Sequence, residues 1–353
     1  MRAPVSWIAE HVELPAGLSA RQLADALIRV GLEVERVESA ADGITGELVV
    51  GRVLSVEELT EFKKPIRYCL VEIGQDEPRG IVCGARNFAE GDLVAVALPG
   101  AVLPGPFPIA ARQTYGRISD GMICSARELG LGDDHTGILV LPPGSAEPGD
   151  DALRRLGMRD AVLDIAITPD RSYCLSVRGL AREAAAALDV PFTDVDAHVR
   201  LPADVTDPGY PASVTDTRGC PKFSLRAVTG LDPASPTPAF IADRLRACGM
   251  RPISLAVDVT NYVMLETGQP LHGYDLALLQ GPLGVRSAEP GEKLTTLDGL
   301  ARELDPDDLV ITDDRGAIGL AGVMGGATTE ISDGTTEVLL EAAYFEPARI
   351  SRA

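Results

Sequence analysis

Apolar positions recur with helical spacing early in the chain. Leu23, Leu27 and Val30 follow at i, i+4 and i+7 behind Ser19. Ser19 with Gln22 three residues on has the form of a capping box, and Gly31 stands where a left-handed C-cap belongs, so a helix is predicted between them. Leu32, Val34 and Val37 then begin an extended segment. From Gly43 to about Pro148 the pattern becomes strand-like, with the runs LVVGRVLSVE, YCLVEIG, RGIVCGA, DLVAVALPGA and GILVLP separated by Gly, Pro and Asp. That spacing predicts a small barrel or sandwich. Residues 149–200 return to helix, with Val177, Leu180, Ala181, Ala184 and Leu188 as one stripe, and the stretch 189–215, rich in Asp and Pro, reads as a linker.

A third part begins near Tyr210. CPKFSLRAVT (220–229) is strand-like. Thr237-Pro238 predicts a helix with proline at its first position, with Ile241, Leu245 and Cys248 as its stripe and Gly249 at its end. Asp258 predicts the cap of a second helix running through Val259, Val263 and Glu266 to Gly268. Residues 283–345 read as strands with turns at Pro290-Gly291, Asp298-Gly299, Asp314-Arg315-Gly316 and Asp333-Gly334.

The length, 353 residues, exceeds one ordinary core, so two or three domains are expected. Hydrophobic residues at 45% and charged residues at 24% exclude a mostly disordered chain. Charge changes the picture more. Lys plus Arg number 32 against 52 Asp plus Glu, a formal −20, so an RNA contact needs a local patch or a partner subunit. Lys63, Lys64 and Arg67 share one loop and read either as a solvated loop or as an RNA-facing patch. The most apolar stretch, Leu93 to Leu103, is broken by Pro99 and Gly100, and the start MRAPVSWIAEH has no signal-peptide core. Six scattered Cys without a CxxC pair read as reduced thiols of a cytoplasmic protein and argue against structural zinc.

P-loop, GxSxG, HExxH and strand-to-helix GxGxxG motifs are absent. Asp133-Asp134-His135, the run Asp305, Asp307, Asp308 and the pair Asp313-Asp314 read as polar turns before metal ligands, and no metal site is expected. The concentrated chemistry lies in DVTNYVMLETGQPLHGYD, which gathers Thr260, Asn261, Glu266, Gln269, His272 and Asp275. Thr260 and Asn261 are expected at a helix start with free N–H groups, and His272 on a turn held by Pro270. Downstream, GAIGLAGVMGGATTEI carries Gly316, Gly319, Gly322, Gly325 and Gly326, which permit close approach of a ligand or tight packing. Glu341 follows the apolar VLL, a half-buried carboxylate with no nearby Lys or Arg in sequence, so it needs a donor from the protein or a ligand.

These stretches, with VSWIAEHV, GLEVE, VVGRVLSVE, IVCGARNFAEGDLVAVALPGA, SDGMICSARELGLGDDHTGILVLP, LAGVMGG and VLLEAAYFEPARISR, resemble the β chain of bacterial phenylalanyl-tRNA synthetase from end to end. The resemblance implies an α+β multidomain fold. A small α/β N-terminal domain (1–40 plus 150–200) carries an inserted OB-fold β-barrel that binds tRNA (41–149), followed by an α/β B3/B4 editing module (208–353). Family β chains run to roughly twice this length, so the resemblance implies an N-terminal portion with the module truncated. It implies partnership with the α chain in an (αβ)2 heterotetramer and with tRNA(Phe). ATP and Mg2+ serve the whole synthetase and are not bound by this portion. It further implies hydrolysis of mischarged Tyr-tRNA(Phe), with His272, Glu341, Thr260 and Asn261 as catalytic residues. Gly322 and Ala321 would meet the substrate, with Arg251 near the tRNA end, and Lys63, Lys64 and Arg67 would meet tRNA. A non-catalytic tRNA-docking and assembly module is the alternative.

Overall fold

Ser19 caps the first long helix, α1 (Ala20–Arg29). Its hydroxyl accepts from the Gln22 amide while the Gln22 side chain accepts from the Ser19 amide, so two N–H groups at the helix start are satisfied together. Leu23 and Leu27 are fully buried, and Gly31 takes φ of +91° just beyond the end. A computed structural model describes residues 1–39, 41–62, 66–131, 136–195 and 209–353. Lys63, Lys64 and the Asp133–His135 turn lie outside the described residues.

The chain divides into two compact units, Met1–Glu35 with Leu163–Ala353, and Arg36–Val162. The second is built on β1 (Leu48–Leu59), β2 (Ile66–Glu72), β3 (Arg79–Cys83) and β4 (Leu93–Ala97). All pairings are antiparallel: β1 with β2 and β4, β2 with β3. The short strands Met122–Ile123 and Val140–Leu141 extend the sheet from β4. Just ahead of Met122 the chain meets β3, where Asp120 N–H donates to the Gly80 carbonyl and the Val82 amide to the Ser119 hydroxyl, curling the sheet into a nearly closed barrel. Leu93, Ala95 and Ala97 face one core while Val94 and Val96 face another, so β4 is buried on both sides and reads as an unbroken apolar run. At Gly51 an added Cβ would come 2.5 Å from Val71 Cγ1, so the strands close here only around glycine.

In the first unit α1 packs against α2 (Val177–Leu188), whose start Ser176 caps by accepting from Gly179 N–H. Trp7, fully buried, stacks on Tyr262 at 4.7 Å, and Arg244 lies 4.9 Å over its indole. The indole N–H donates to Glu266, which fastens the N-terminal segment to a helix more than 250 residues later. The N-terminal helices and the third part of the sequence therefore share one unit.

That third part holds β5 (Lys222–Thr229), α3 (Ala239–Ala247), α4 (Leu255–Thr267), β6 (Leu271–Asp275), β7 (Leu283–Ser287), β8 (Leu309–Asp313), β9 (Gly316–Leu320) and β10 (Glu337–Tyr344). They form two sheets. One has the order β5-β10-β6; the other runs from Ala212–Val214 through β7, β8 and β9 to Met324–Gly325. Tyr274 and Leu339 of the first sheet share a core with Val285, Ile311 and Ile318 of the second.

Two helix starts differ from expectation. Pro238 is the extended N-cap residue of α3 rather than its first helical position. Helix α4 starts at Leu255 behind Ser254, not at Asp258. Asp258 is fully buried and its carboxylate turns back on the preceding chain, accepting from Ile253 N–H (2.8 Å) and the Thr237 hydroxyl (2.6 Å). The acid thus ties α3's approach to α4 instead of capping a helix. Asp258→Ala should leave these donors unpaired and cost roughly 1–3 kcal/mol, read as a lower denaturant midpoint, with a smaller loss for Asp258→Asn. An unchanged midpoint for Asp258→Ala would show the two bonds to be dispensable.

Candidate functional site

The site is assembled by strand register. β10 is the centre of its sheet, and antiparallel pairing sets His272 of β6 directly against Glu341 of β10. Side chains of directly paired residues stand on the same face. His272 therefore lies on an edge strand, not on the turn expected from Pro270, because pairing with β10 already begins at Leu271. Tyr274, two residues further along β6, returns to that face. Its hydroxyl donates to Glu341 Oε2. Of the two sources of a donor that the sequence leaves open for Glu341, protein or ligand, the protein supplies one.

His272, Tyr274 and Glu341 form one wall of a cavity of about 220 Å³. Ile311, Gly319 and the segment Ala321–Gly325 line the opposite side. The glycines act by what they leave out. A Cβ on Gly325 would stand 2.4 Å from His272 Cε1 and 2.7 Å from Nε2, so the imidazole rests on bare backbone. Gly322, at φ of +68°, makes the turn that carries the chain past Phe345. The imidazole and the Tyr274 ring meet edge to face at a centroid distance of 4.5 Å and an angle of 82°.

Burial sets the protonation of this wall. It pushes the Glu341 carboxyl up to about 7, with the Tyr274 hydroxyl pulling in the opposite direction. It also lowers His272, favouring a neutral imidazole at neutral pH. Tyr274 is held well above the usual phenol range by burial, reinforced by the neighbouring Glu341 charge. The Cys220 thiol is raised to about 11, first by burial and then by Glu341.

Of the residues singled out in sequence, the structure brings His272, Glu341, Ala321 and Gly322 together at this cavity. Thr260, Asn261 and Arg251 are not among its lining residues. Thr260 and Asn261 lie inside α4 rather than at its start, and the Thr260 hydroxyl is spent on the Val257 carbonyl at 2.7 Å. Arg251 is exposed ahead of α4. Tyr274 was missed, although its place at i+2 from His272 on an alternating strand was readable.

In the barrel unit, Arg67 donates to Glu58 (2.8 Å) and to the Phe88 carbonyl (3.1 Å), and its side chain is 16% exposed. Its guanidinium is engaged inside the protein rather than presented as a free phosphate contact. Arg86 and Arg117 are likewise paired, with Glu58 and Glu57. A larger, open hollow of about 730 Å³ includes Cys83, Phe107, Arg127 and Glu128. The Glu128 carboxylate there already accepts from the amide and hydroxyl of Ser125. Among the described residues no group of three or more His, Cys, Asp or Glu is arranged to hold a metal ion, and no helix is long and apolar enough to cross a membrane.

Comparison with known proteins agrees with this division. Residues 48–151 match the model of a putative tRNA binding domain, and residues 219–353 match the B3/4 domain. The phenylalanine–tRNA ligase β subunit of Thermobifida fusca is 61% identical over the whole of this chain, and that of Streptomyces avermitilis 58%; each match covers 43% of the relative. The chain therefore spans less than half the length of these relatives. Among solved structures, an N-terminal fragment of the phenylalanyl-tRNA synthetase β-subunit from Pyrococcus horikoshii aligns over 54% of this chain and 57% of its own. Its TM-score of 0.32 and 14% identity are too low to add to the assignment. With close identity along its full length and the tRNA-binding and B3/4 models in succession, the chain belongs to the phenylalanine–tRNA ligase β-subunit family.

Proposed function

We propose that this chain works as part of a phenylalanine–tRNA ligase β subunit, receiving tRNA(Phe) and hydrolysing mischarged Tyr-tRNA(Phe). In this reading the α chain attaches phenylalanine using ATP and Mg2+, in a cytoplasmic (αβ)2 assembly, and this chain does not activate the amino acid itself. The barrel of residues 48–151 acts as an OB-fold that docks tRNA, and the two-sheet part proofreads. The carrying observation is the buried Glu341 paired across adjacent strands with the half-buried His272, side by side on the wall of a glycine-lined cavity.

Tyrosine differs from phenylalanine by one hydroxyl, which a hydrophobic synthetic pocket rejects poorly. A second site can use the opposite preference. Glu341, as carboxylate, accepts from the phenol, and phenylalanine leaves that oxygen unpaired at a cost of about 1–3 kcal/mol. The cavity is smaller than the roughly 300–1,000 Å³ of drug-sized sites, a size for one amino-acid side chain. The aminoacyl ester is already activated, so positioned water suffices and no covalent nucleophile is needed. His272, neutral, accepts a proton from that water or orients the terminal ribose. Ala321 and Gly322 bring backbone close to the amino acid. Thr260 and Asn261 act by seating β6 from α4, and Arg251 lies toward the tRNA end.

A second reading, a docking and assembly module without turnover, draws on the tRNA-binding match. Activity separates the two. His272→Ala and Glu341→Ala chains, assembled with an α chain, should retain phenylalanylation and lose at least about tenfold in Tyr-tRNA(Phe) hydrolysis. Unchanged hydrolysis in both variants removes the assignment, and tRNA binding without hydrolysis in the wild type favours the docking module.

The carboxylate form of Glu341 also carries a cost in stability. Its value in the folded chain, about 7, lies above the 4.5 of a free glutamate. Its contribution is therefore complete below pH 4.5 and is lost as pH rises through 7. Between those limits the wild type should lose roughly 3 kcal/mol relative to Glu341→Gln, measured from denaturant midpoints. A difference that stays flat with pH would place the carboxyl in water.

A further inference from the structure

We propose that Tyr274 is a positioning residue for Glu341: its hydroxyl occupies Oε2, leaves Oε1 as the one acceptor turned to the cavity, and so makes the site select a ligand with a single phenolic donor. The proposal rests on the proofreading reading and adds the residue that gives the acid its orientation and charge.

The geometry is a continuous wall. Gly325 backs His272, His272 packs edge to face with the Tyr274 ring, and Tyr274 reaches Glu341. Tyr274 is 1% exposed, so water does not compete for its hydroxyl. Among the described residues it is the donor assigned to Glu341, and none is assigned to Oε1. A buried carboxylate with one fixed donor points in one direction. Each neighbour bears on its charge. β6 contributes His272 and Tyr274; the Cys220 thiol lies near; β5 presents Leu225 in the paired position. From the opposite sheet come Ile311, Gly319 and the Ala321–Gly325 segment, which carry no titratable group. Among the described residues no Lys or Arg lines the cavity. The Tyr274 hydrogen bond is thus the protein's means of favouring the ionised acid against burial.

The internal phenol binds as the substrate's phenol would. Tyr274 satisfies one oxygen permanently, and tyrosine is recognised by the other. Without Tyr274 the carboxyl takes up a proton at neutral pH, becomes a donor on one oxygen, and ceases to demand a hydroxyl from the ligand.

The test is Tyr274→Phe, which keeps the ring. The Glu341 carboxyl is followed by carbon-13 NMR in glutamate-labelled chain, its signal identified by loss in Glu341→Gln. The midpoint should move from about 7 upward by about one unit or more. The pH profile of Tyr-tRNA(Phe) hydrolysis should move the same way, with phenylalanylation by the α-assembled protein unchanged. In the Glu341→Gln background Tyr274→Phe should have no further effect on hydrolysis. An unmoved midpoint overturns the proposal. So does faster hydrolysis at pH 7 in Tyr274→Phe, which would make the phenol a competitor. A wild type that does not hydrolyse the ester defeats the proofreading reading instead, and the NMR midpoint then decides the role of Tyr274 alone.

Discussion

The pairing of β6 with β10 carries the site. In that register His272 meets Glu341 and Tyr274 stands on the same face. A slip of β6 by one residue would turn His272 and Tyr274 away from Glu341 and the cavity, because side chains alternate along a strand. The register is held from both sides. β10 also pairs along its length with β5, and Leu339 and Tyr274 lock the interior face in the core. The chemistry is therefore a by-product of a sheet whose order hydrophobic burial dictates.

Given that frame, burial does the electrostatic work. A carboxyl withdrawn from water resists ionisation, and an imidazole withdrawn from water resists protonation. Both groups are brought toward neutrality with no Lys or Arg among the described residues that line the cavity. The glycines complete the arrangement by omission. Gly325 leaves room for the imidazole, and Gly322 turns the chain without a side chain entering the space. The barrel unit shows a different economy of charge, in which Glu57 and Glu58 hold Arg67, Arg86 and Arg117 on an acidic protein.

Much of this was legible in the sequence. The capping box at Ser19, the apolar runs of the barrel and the stripe of α2 are local patterns, and local physics fixes them. Glu341, His272 and the glycine segment were visible as a concentration of chemistry, and family resemblance tied them together. The failures were all tertiary. Asp258 looked like a cap because an acid before an apolar helix usually is one; its bonds to Thr237 and Ile253 run backward and start α4 four residues earlier. The same shift moves Thr260 and Asn261 into the helix interior. Glu341 looked unpartnered because its donor, Tyr274, lies 67 residues away in sequence. Arg67 looked available to RNA because its pairing with Glu58 spans a strand pair rather than a helical turn.

The central claim is that Oε1 of Glu341 receives the hydroxyl of a tyrosyl group. A crystal structure of the chain with a non-hydrolysable 3′-tyrosylamino-adenosine tests it most directly. The account predicts the phenol oxygen at about 2.5–2.7 Å from Oε1, with Tyr274 still on Oε2 and the amide-linked ribose beside His272. An analogue whose ring lies outside this cavity, or whose hydroxyl turns away from Glu341, would contradict it.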